Sequence, residues 1–392
     1  MSEIAQPIKG VTIYDPDKCY HGYTLFCHTH EGPGLGNRLE ASMQLIDMAG
    51  NIVHQWTSKT AVQLLKLQPD GTLYYMTRDR SNIDQAGLYK IAPDSSVQRH
   101  YHCRIDHDFY PLANGHMMIH CIVDKMVPDL GPQLRRNPYF IEIGPNDELV
   151  WEWHGEQHLQ DLADLCGLES PIDWEGRVRE EIEESRPWDK HLQNASVDEV
   201  KAISRRMRAH FAFDWAHNNT CQIIPENAAA DVDHRFRPGN IVFSYRSLDI
   251  IGVIERPSGD IVWAWGPGVI DGQHKPHMLP NGHILLFDNG TRRGWSRIIE
   301  LDPLTCEIVR EYVGTPKESF FSPFISSAQR LPNGNTLICE GGRGRLFEVT
   351  PDKEVVWEFK SPYRGFIFGK ESHSIYRTTR YSSEYVAPLF EG

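Results

Sequence analysis

The stretch that decides the fold runs Leu279-Pro280-Asn281-Gly282-His283-Ile284-Leu285-Leu286-Phe287, then Ile298-Ile299-Glu300-Leu301-Asp302-Pro303, then Val309-Arg310-Glu311-Tyr312. Asn-Gly between apolar runs is a hairpin signal, because both residues tolerate positive φ. A strand-like run follows the turn, a second run ends in Asp-Pro, and a third closes on an aromatic residue.

The same order returns along the chain. Its turn appears as Leu67-Gln-Pro-Asp-Gly71, Leu112-Ala-Asn-Gly115 and Leu331-Pro-Asn-Gly334, with a degraded copy at Ile224-Pro-Glu-Asn227. Its closing strand appears as Val53-His-Gln-Trp56, Val150-Trp-Glu-Trp153, Val262-Trp-Ala-Trp265 and Val356-Trp-Glu-Phe359, with a weaker copy at Val97-Gln-Arg-His-Tyr101. Valines 53, 97, 150, 262, 309 and 356 are spaced by 44, 53, 112, 47 and 47 residues. A period in the forties, four short strands per unit and a terminal aromatic predict an all-β fold, a six-bladed β-propeller. Neither end shows the polar capping repeat of a solenoid. The first unit opens on what reads as its second strand, Gly22-Tyr-Thr-Leu-Phe26. Its missing innermost strand is expected from His373-Ser-Ile-Tyr-Arg377, so that N- and C-terminal strands close the ring and leave no exposed sheet edge.

The interval of 112 is one repeat plus an insertion at residues 155–210. Ser196-Val-Asp-Glu199 is a capping box that predicts a helix to about His210. The segment carries 13 acidic and eight basic side chains. It reads as a helical insertion within a single propeller domain spanning residues 1–392. It can serve as a lid, as a contact for another subunit in a homo-oligomer, or as a solvated decoration.

Composition narrows the function. The 392 residues carry a formal charge of −13, and basic residues run no longer than pairs such as Arg205-Arg206. A nucleic-acid partner is not expected of such a surface. No apolar run approaches the roughly 18 residues of a membrane helix, and Met1-Ser-Glu-Ile-Ala-Gln-Pro7 lacks the features of a signal peptide. The chain reads as soluble and cytoplasmic. The eight cysteines include no C-x-x-C pair and read as free, mostly buried thiols.

Residues at the start of an innermost strand face the central funnel of a propeller. Five positions before the turn leucine stand His107 and His274, with Ser326 at the same place in the sixth unit. In the fourth unit Asp214-Trp-Ala-His-Asn-Asn-Thr220 puts His217 and Asn219 near that level. Arg246 ends the apolar run Ile241-Val-Phe-Ser-Tyr245, where an arginine is costly unless paired or aimed at a ligand. A guanidinium there suits an oxyanion. Asn289, in Asp288-Asn-Gly290, lies in a turn within reach of the funnel. His116, His120, His277 and His283 fall nearer turns or on outer strands and read as structural.

Asp214-Trp-Ala-His217-Asn-Asn219, Ser244-Tyr-Arg246, Gly272-Gln-His274, Phe287-Asp-Asn-Gly290 and Trp295-Ser-Arg297 resemble the arylsulfate sulfotransferase family of six-bladed propellers. The resemblance runs from Gly22-Tyr-Thr-Leu25 to Val355-Val-Trp357, outside the insertion. It implies an enzyme in which a funnel histidine attacks the sulfur of an aryl sulfate, forms a transient sulfohistidine and passes the sulfuryl group to a phenol. It implies His274 as the nucleophile, and His107, His217 with Asn219, and Arg246 as the other site residues. The chemistry fits, since neutral imidazole is nucleophilic near neutrality and cationic donors stabilise the charge shed onto oxygen.

The expected substrate is a small anionic or aromatic molecule, with no cofactor. Three other readings share the scaffold. A His/Arg funnel can serve a lyase or hydratase. His107, His217 and His274 can hold a transition metal such as zinc. A non-catalytic propeller can bind a protein or ligand.

Overall fold

The computed structural model describes residues 10–28, 30–31, 41–78, 83–132, 134–168, 212–367 and 370–391. The chain is a six-bladed β-propeller. Blades 1, 2 and 6 belong to one compact unit, residues 1–105 with 324–392, and blades 3, 4 and 5 to a second, residues 106–323.

The repeated turn has one geometry. The N–H of Gly115, Gly282 and Gly334 donates to the carbonyl of Leu112, Leu279 and Leu331, and each leucine N–H bonds back across the hairpin. These glycines take φ of +83°, +85° and +87°, which a Cβ disfavours. The Asn before each glycine accepts from the residue two positions on, at 3.1 Å in all three copies. The degraded copy has no such turn. Its Ile224 still bridges to Asn240 and Gly239, but two 3-10 turns, Ala228–Asp231 and His234–Phe236, fill the space between.

The strand after the turn is buried along its length in Ile284–Asp288 and Thr336–Glu340, and over its first half in Met117–Met126. The closing strand is not. Val97, Val150 and Val309 are exposed, whereas Trp56, Tyr101, Trp153 and Phe359 are buried. Residues three apart on a strand face opposite ways, so in Val150-Trp-Glu-Trp153 the aromatic is the anchor and the valine faces water, whereas Val356 of blade 6 is itself buried. Side chains of the closing strands also pin the neighbouring blade. His54 Nε2 bonds Pro93 O at 3.0 Å, Trp153 Nε1 donates to Gly259 O at 2.7 Å, and Trp357 Nε1 donates to Met48 O at 2.9 Å.

The C-terminal strand Ile375–Tyr381 is the first strand of blade 1, antiparallel to Tyr23–His28 with Tyr381 opposite Tyr23 and Thr379 opposite Leu25. The N-terminal strand Val11–Tyr14 adds a fifth strand to blade 6, along Val355–Lys360. Both termini are thus spent on covering edges.

Of the insertion, a 3-10 turn at Gly155–His158 and a helix at Leu159–Cys166 are described, the helix burying Leu162 and Ala163. The capping box at Ser196 and its helix lie outside the described residues. All eight cysteines are free thiols. Among the described residues no helix is long and apolar enough to cross a membrane.

Candidate active site

The first strands of blades 3, 4 and 5 begin with a break in regular backbone. His107, His217 and Lys275 hold φ of +58°, +46° and +54°. Each such residue costs about 1–3 kcal/mol, and strain of this kind concentrates at functional sites. His107 and His274 match in count from their turns, but the left-handed residue of blade 5 is Lys275. The registers there shift, between His274 and His277 and between Asn218 and Cys221. Such bulges re-aim side chains at the end of a strand.

His274 is 3% exposed. Its Nδ1 lies 2.8 Å from Asn289 Oδ1 and 3.1 Å from Gly272 O. Asn289 is oriented by its own Nδ2, which donates to Ser322 O at 2.8 Å. Nδ1 of His274 therefore faces two acceptors and carries the hydrogen. In the neutral ring the lone pair is on Nε2.

Asn219 Nδ2 donates to Gln273 O at 2.8 Å, tying blade 4 to the residue before His274. Gln273 Nε2 reaches back to Ser244 Oγ and Ile250 O, both at 3.0 Å. Asn219 and Asn289 are both fully buried. Their amides meet protein carbonyls and the His274 ring.

Gly272 stands at φ +66°, and its N–H donates to Asp249 Oδ1 at 2.8 Å. A Cβ there would meet Thr291 Oγ1 at 2.8 Å and would lie 3.8 Å from Arg246 Nε. The Arg246 guanidinium thus passes beside the chain two residues before His274. Arg246 is half-buried and opens the 3-10 turn Arg246–Leu248, its backbone N–H donating to His217 O.

A carboxylate–arginine lattice holds this corner. Asp271 N–H donates to Asp288 Oδ1, and Asp271 Oδ2 accepts the Arg292 N–H, both at 2.8 Å. Arg297 Nε donates to Asp288 Oδ2 at 2.7 Å, and Arg292 reaches Asp249. Burial pushes the Asp249 and Asp288 carboxyls up, against the pull of these arginines.

His217 and His107 form a second group. Their ring centroids are 4.6 Å apart at 68°. His217 Nδ1 lies 3.0 Å from Asp214 Oδ2, and its backbone N–H donates to Asp214 Oδ1 at 2.9 Å. Burial alone would raise the Asp214 carboxyl, but the His217 ring outweighs it and holds it below the usual carboxylate range. Trp215 locks the segment by donating to Asn137 Oδ1 at 2.9 Å. His107 is buried, with Nδ1 2.7 Å from Asp106 Oδ2. Among the described residues, the metal-ligating side chains that cluster are Asp106, His107 and His120, and not His107, His217 and His274.

Asp106 and Asp214 are given no role by the sequence, and His120 is read there as structural. The signal for the first two was present, an acid adjacent to His107 and another three residues before His217. His120 gave none, since it sits on a second strand like any core residue. His116 and His283 pair with Glu142 at 2.6 Å and Glu300 at 2.7 Å on neighbouring strands. Asn335 meets Glu348 at 2.6 Å in the equivalent place of blade 6, so this is a repeated brace beneath the turn.

The fold is shared with a solved protein from Bacteroides caccae, at a TM-score of 0.50 and 12% identity over 92% of this chain and 99% of that one. A streptogramin B lyase follows at 0.44 and 10%, covering 92% and 98%. A catalytically inactive virginiamycin B lyase from Staphylococcus aureus, solved with quinupristin, stands at 0.44 and 9%, covering 90% and 93%. Likeness at such identity concerns architecture and not chemistry. No curated protein matches the sequence. The profile of the arylsulfotransferase family matches residues 71–362, about three quarters of the chain and five of its blades. The chain belongs to the arylsulfotransferase family, which makes it a transferase and makes sulfuryl transfer its general reaction.

Proposed function

We propose that the protein moves a sulfuryl group from an aryl sulfate to a phenol through a sulfohistidine on His274. The observation that carries this reading is the pair of acceptors at Nδ1 of His274, which leaves the lone pair on Nε2. Nε2 attacks sulfur, the N–S bond forms, and the S–O bond to the aryl group breaks with its electron pair on oxygen. The phenol oxygen then attacks sulfur, and the N–S electron pair returns to Nε2. Arg246 neutralises the sulfuryl oxygens as charge shifts among them. His217, backed by Asp214, gives a proton to the leaving oxygen and takes one from the acceptor. His107 packs against the His217 ring and fixes its orientation, while Asn219 and Asn289 position His274. No cofactor is required for this sequence of steps, and a cytoplasmic setting with a small aromatic substrate is consistent with it.

The test is incubation with 4-nitrophenyl sulfate and a phenol. Nitrophenolate release that depends on the acceptor, with a sulfate-sized mass increment on the His274 peptide, is expected. Absence of release, or release by His274→Ala at the wild-type rate, overturns the reading.

A further inference from the structure

Asp106 orients two imidazoles at once. Its carboxylate Oδ2 lies 2.7 Å from His107 Nδ1, and its backbone carbonyl lies 2.5 Å from His120 Nδ1. A carbonyl oxygen only accepts, so His120 carries its hydrogen on Nδ1 and a lone pair on Nε2. His120 is 1% exposed, and that Nε2 has no hydrogen-bond partner. A buried acceptor left unmet is destabilising.

Each of Asp106, His107 and His120 offers one ligand atom within 4.8 Å of the other two, and all three residues are buried. An imidazole whose Nδ1 hydrogen is held by a backbone carbonyl, as in His120, is the arrangement found behind metal-bound histidines. We infer that Asp106, His107 and His120 bind one divalent transition-metal ion of the zinc class. Two imidazole nitrogens and one carboxylate oxygen form a borderline donor set. That set suits zinc, cobalt or copper over magnesium and calcium, which favour oxygen-only shells. The ion would supply an electron-pair acceptor for Nε2 of the His120 ring. His217, against the ring of His107, is the adjacent group on the side of the candidate active site.

The inference does not rest on sulfuryl transfer. It is tested on the whole chain and on His274→Ala alike, after stripping with a chelator. Titration with Co²⁺ should give visible d–d absorption saturating at one ion per chain, displaced by Zn²⁺, in both proteins. His120→Gln and Asp106→Asn should each weaken uptake by about tenfold or more, in line with the loss of a ligand or its support. The unmutated chain loaded with Cu²⁺ should show hyperfine coupling to two imidazole nitrogens, a readout independent of whether the variants fold. No Co²⁺ absorption in the unmutated chain, coupling to fewer than two nitrogens, or uptake unchanged in both ligand variants overturns the site. Loss of nitrophenolate release with the metal signals intact would count against the sulfuryl-transfer reading alone.

Discussion

The side-chain oxygen of Asn289 sits 2.8 Å from Nδ1 of His274, and the same amide is locked from behind by Ser322. The ring of His274 is thereby fixed in orientation and in tautomer. Asn289→Ala removes one of the two acceptors at Nδ1 and leaves Gly272 O. With 4-nitrophenyl sulfate as donor, kcat should fall about 10- to 100-fold, the usual cost of losing a group that orients a reacting histidine. KM should change little, because the buried amide has no surface to offer the donor. An effect confined to KM would show that Asn289 binds substrate after all.

Asp214 and His217 are joined by two contacts, ring to carboxylate and backbone to carboxylate. If this pair protonates the leaving oxygen, its loss should matter most when that oxygen is a poor leaving group. Asp214→Asn should slow turnover of phenyl sulfate by about 100-fold, within the range of general acid catalysis. It should slow 4-nitrophenyl sulfate far less, since nitrophenolate departs without a proton. Equal losses on both donors would assign Asp214 a structural role.

These two relationships mark where sequence reading stops. The Leu-Pro-Asn-Gly turns are legible because each is a local device, closed within four residues by Gly282 or Gly334. Closure by Ile375–Tyr381 is legible because blade 1 visibly lacks a strand. His107, His217 and His274 stand out because the repeat puts them at comparable heights. Their partners do not stand out. Asp106 and Asp214 matter through the orientation of side chains, and neither burial nor tautomer leaves a periodic trace; Asn289 is visible as a turn residue near the funnel, but its bond to His274 is not. His120 is seen but read as structural for the same reason. The turn of blade 4 is legible only as degraded, because it contains two 3-10 turns, Ala228–Asp231 and His234–Phe236, that no spacing rule announces.

The junction between the two ends of the chain depends on a buried ion pair. Arg380, on the C-terminal strand, contacts Glu348 of blade 6, and both side chains are fully buried. Arg380 Nε also donates to Thr24 Oγ1 at 3.0 Å, and Glu348 accepts from Tyr20 N at 2.7 Å. Arg380→Met leaves a buried carboxylate without its cation and should cost about 3–5 kcal/mol in denaturant unfolding. Adding Glu348→Gln removes the stranded charge while keeping an acceptor for Tyr20, so the double variant should recover part of the loss. A double variant no more stable than Arg380→Met would mean the carboxylate is not the source of the cost.

The N-terminal strand offers a pH-dependent counterpart. Glu358 of blade 6 accepts from the Thr12 hydroxyl and from Arg345 Nε, with Lys360 Nζ at 3.2 Å. Burial alone would raise its carboxyl, but these donors prevail and hold it below the ordinary 4.5. A depressed carboxylate stabilises the fold above its unfolded pKa and loses that contribution as pH falls through the folded value. Glu358→Gln should therefore cost about 1.5–3 kcal/mol near neutrality, the scale of hydrogen bonds to a charged group. The gap between variant and wild type should narrow as pH drops below 4.5. Unfolding midpoints measured across that range would show the two curves converging. Parallel curves would mean that the ionised Glu358 does not hold the N-terminal strand in place.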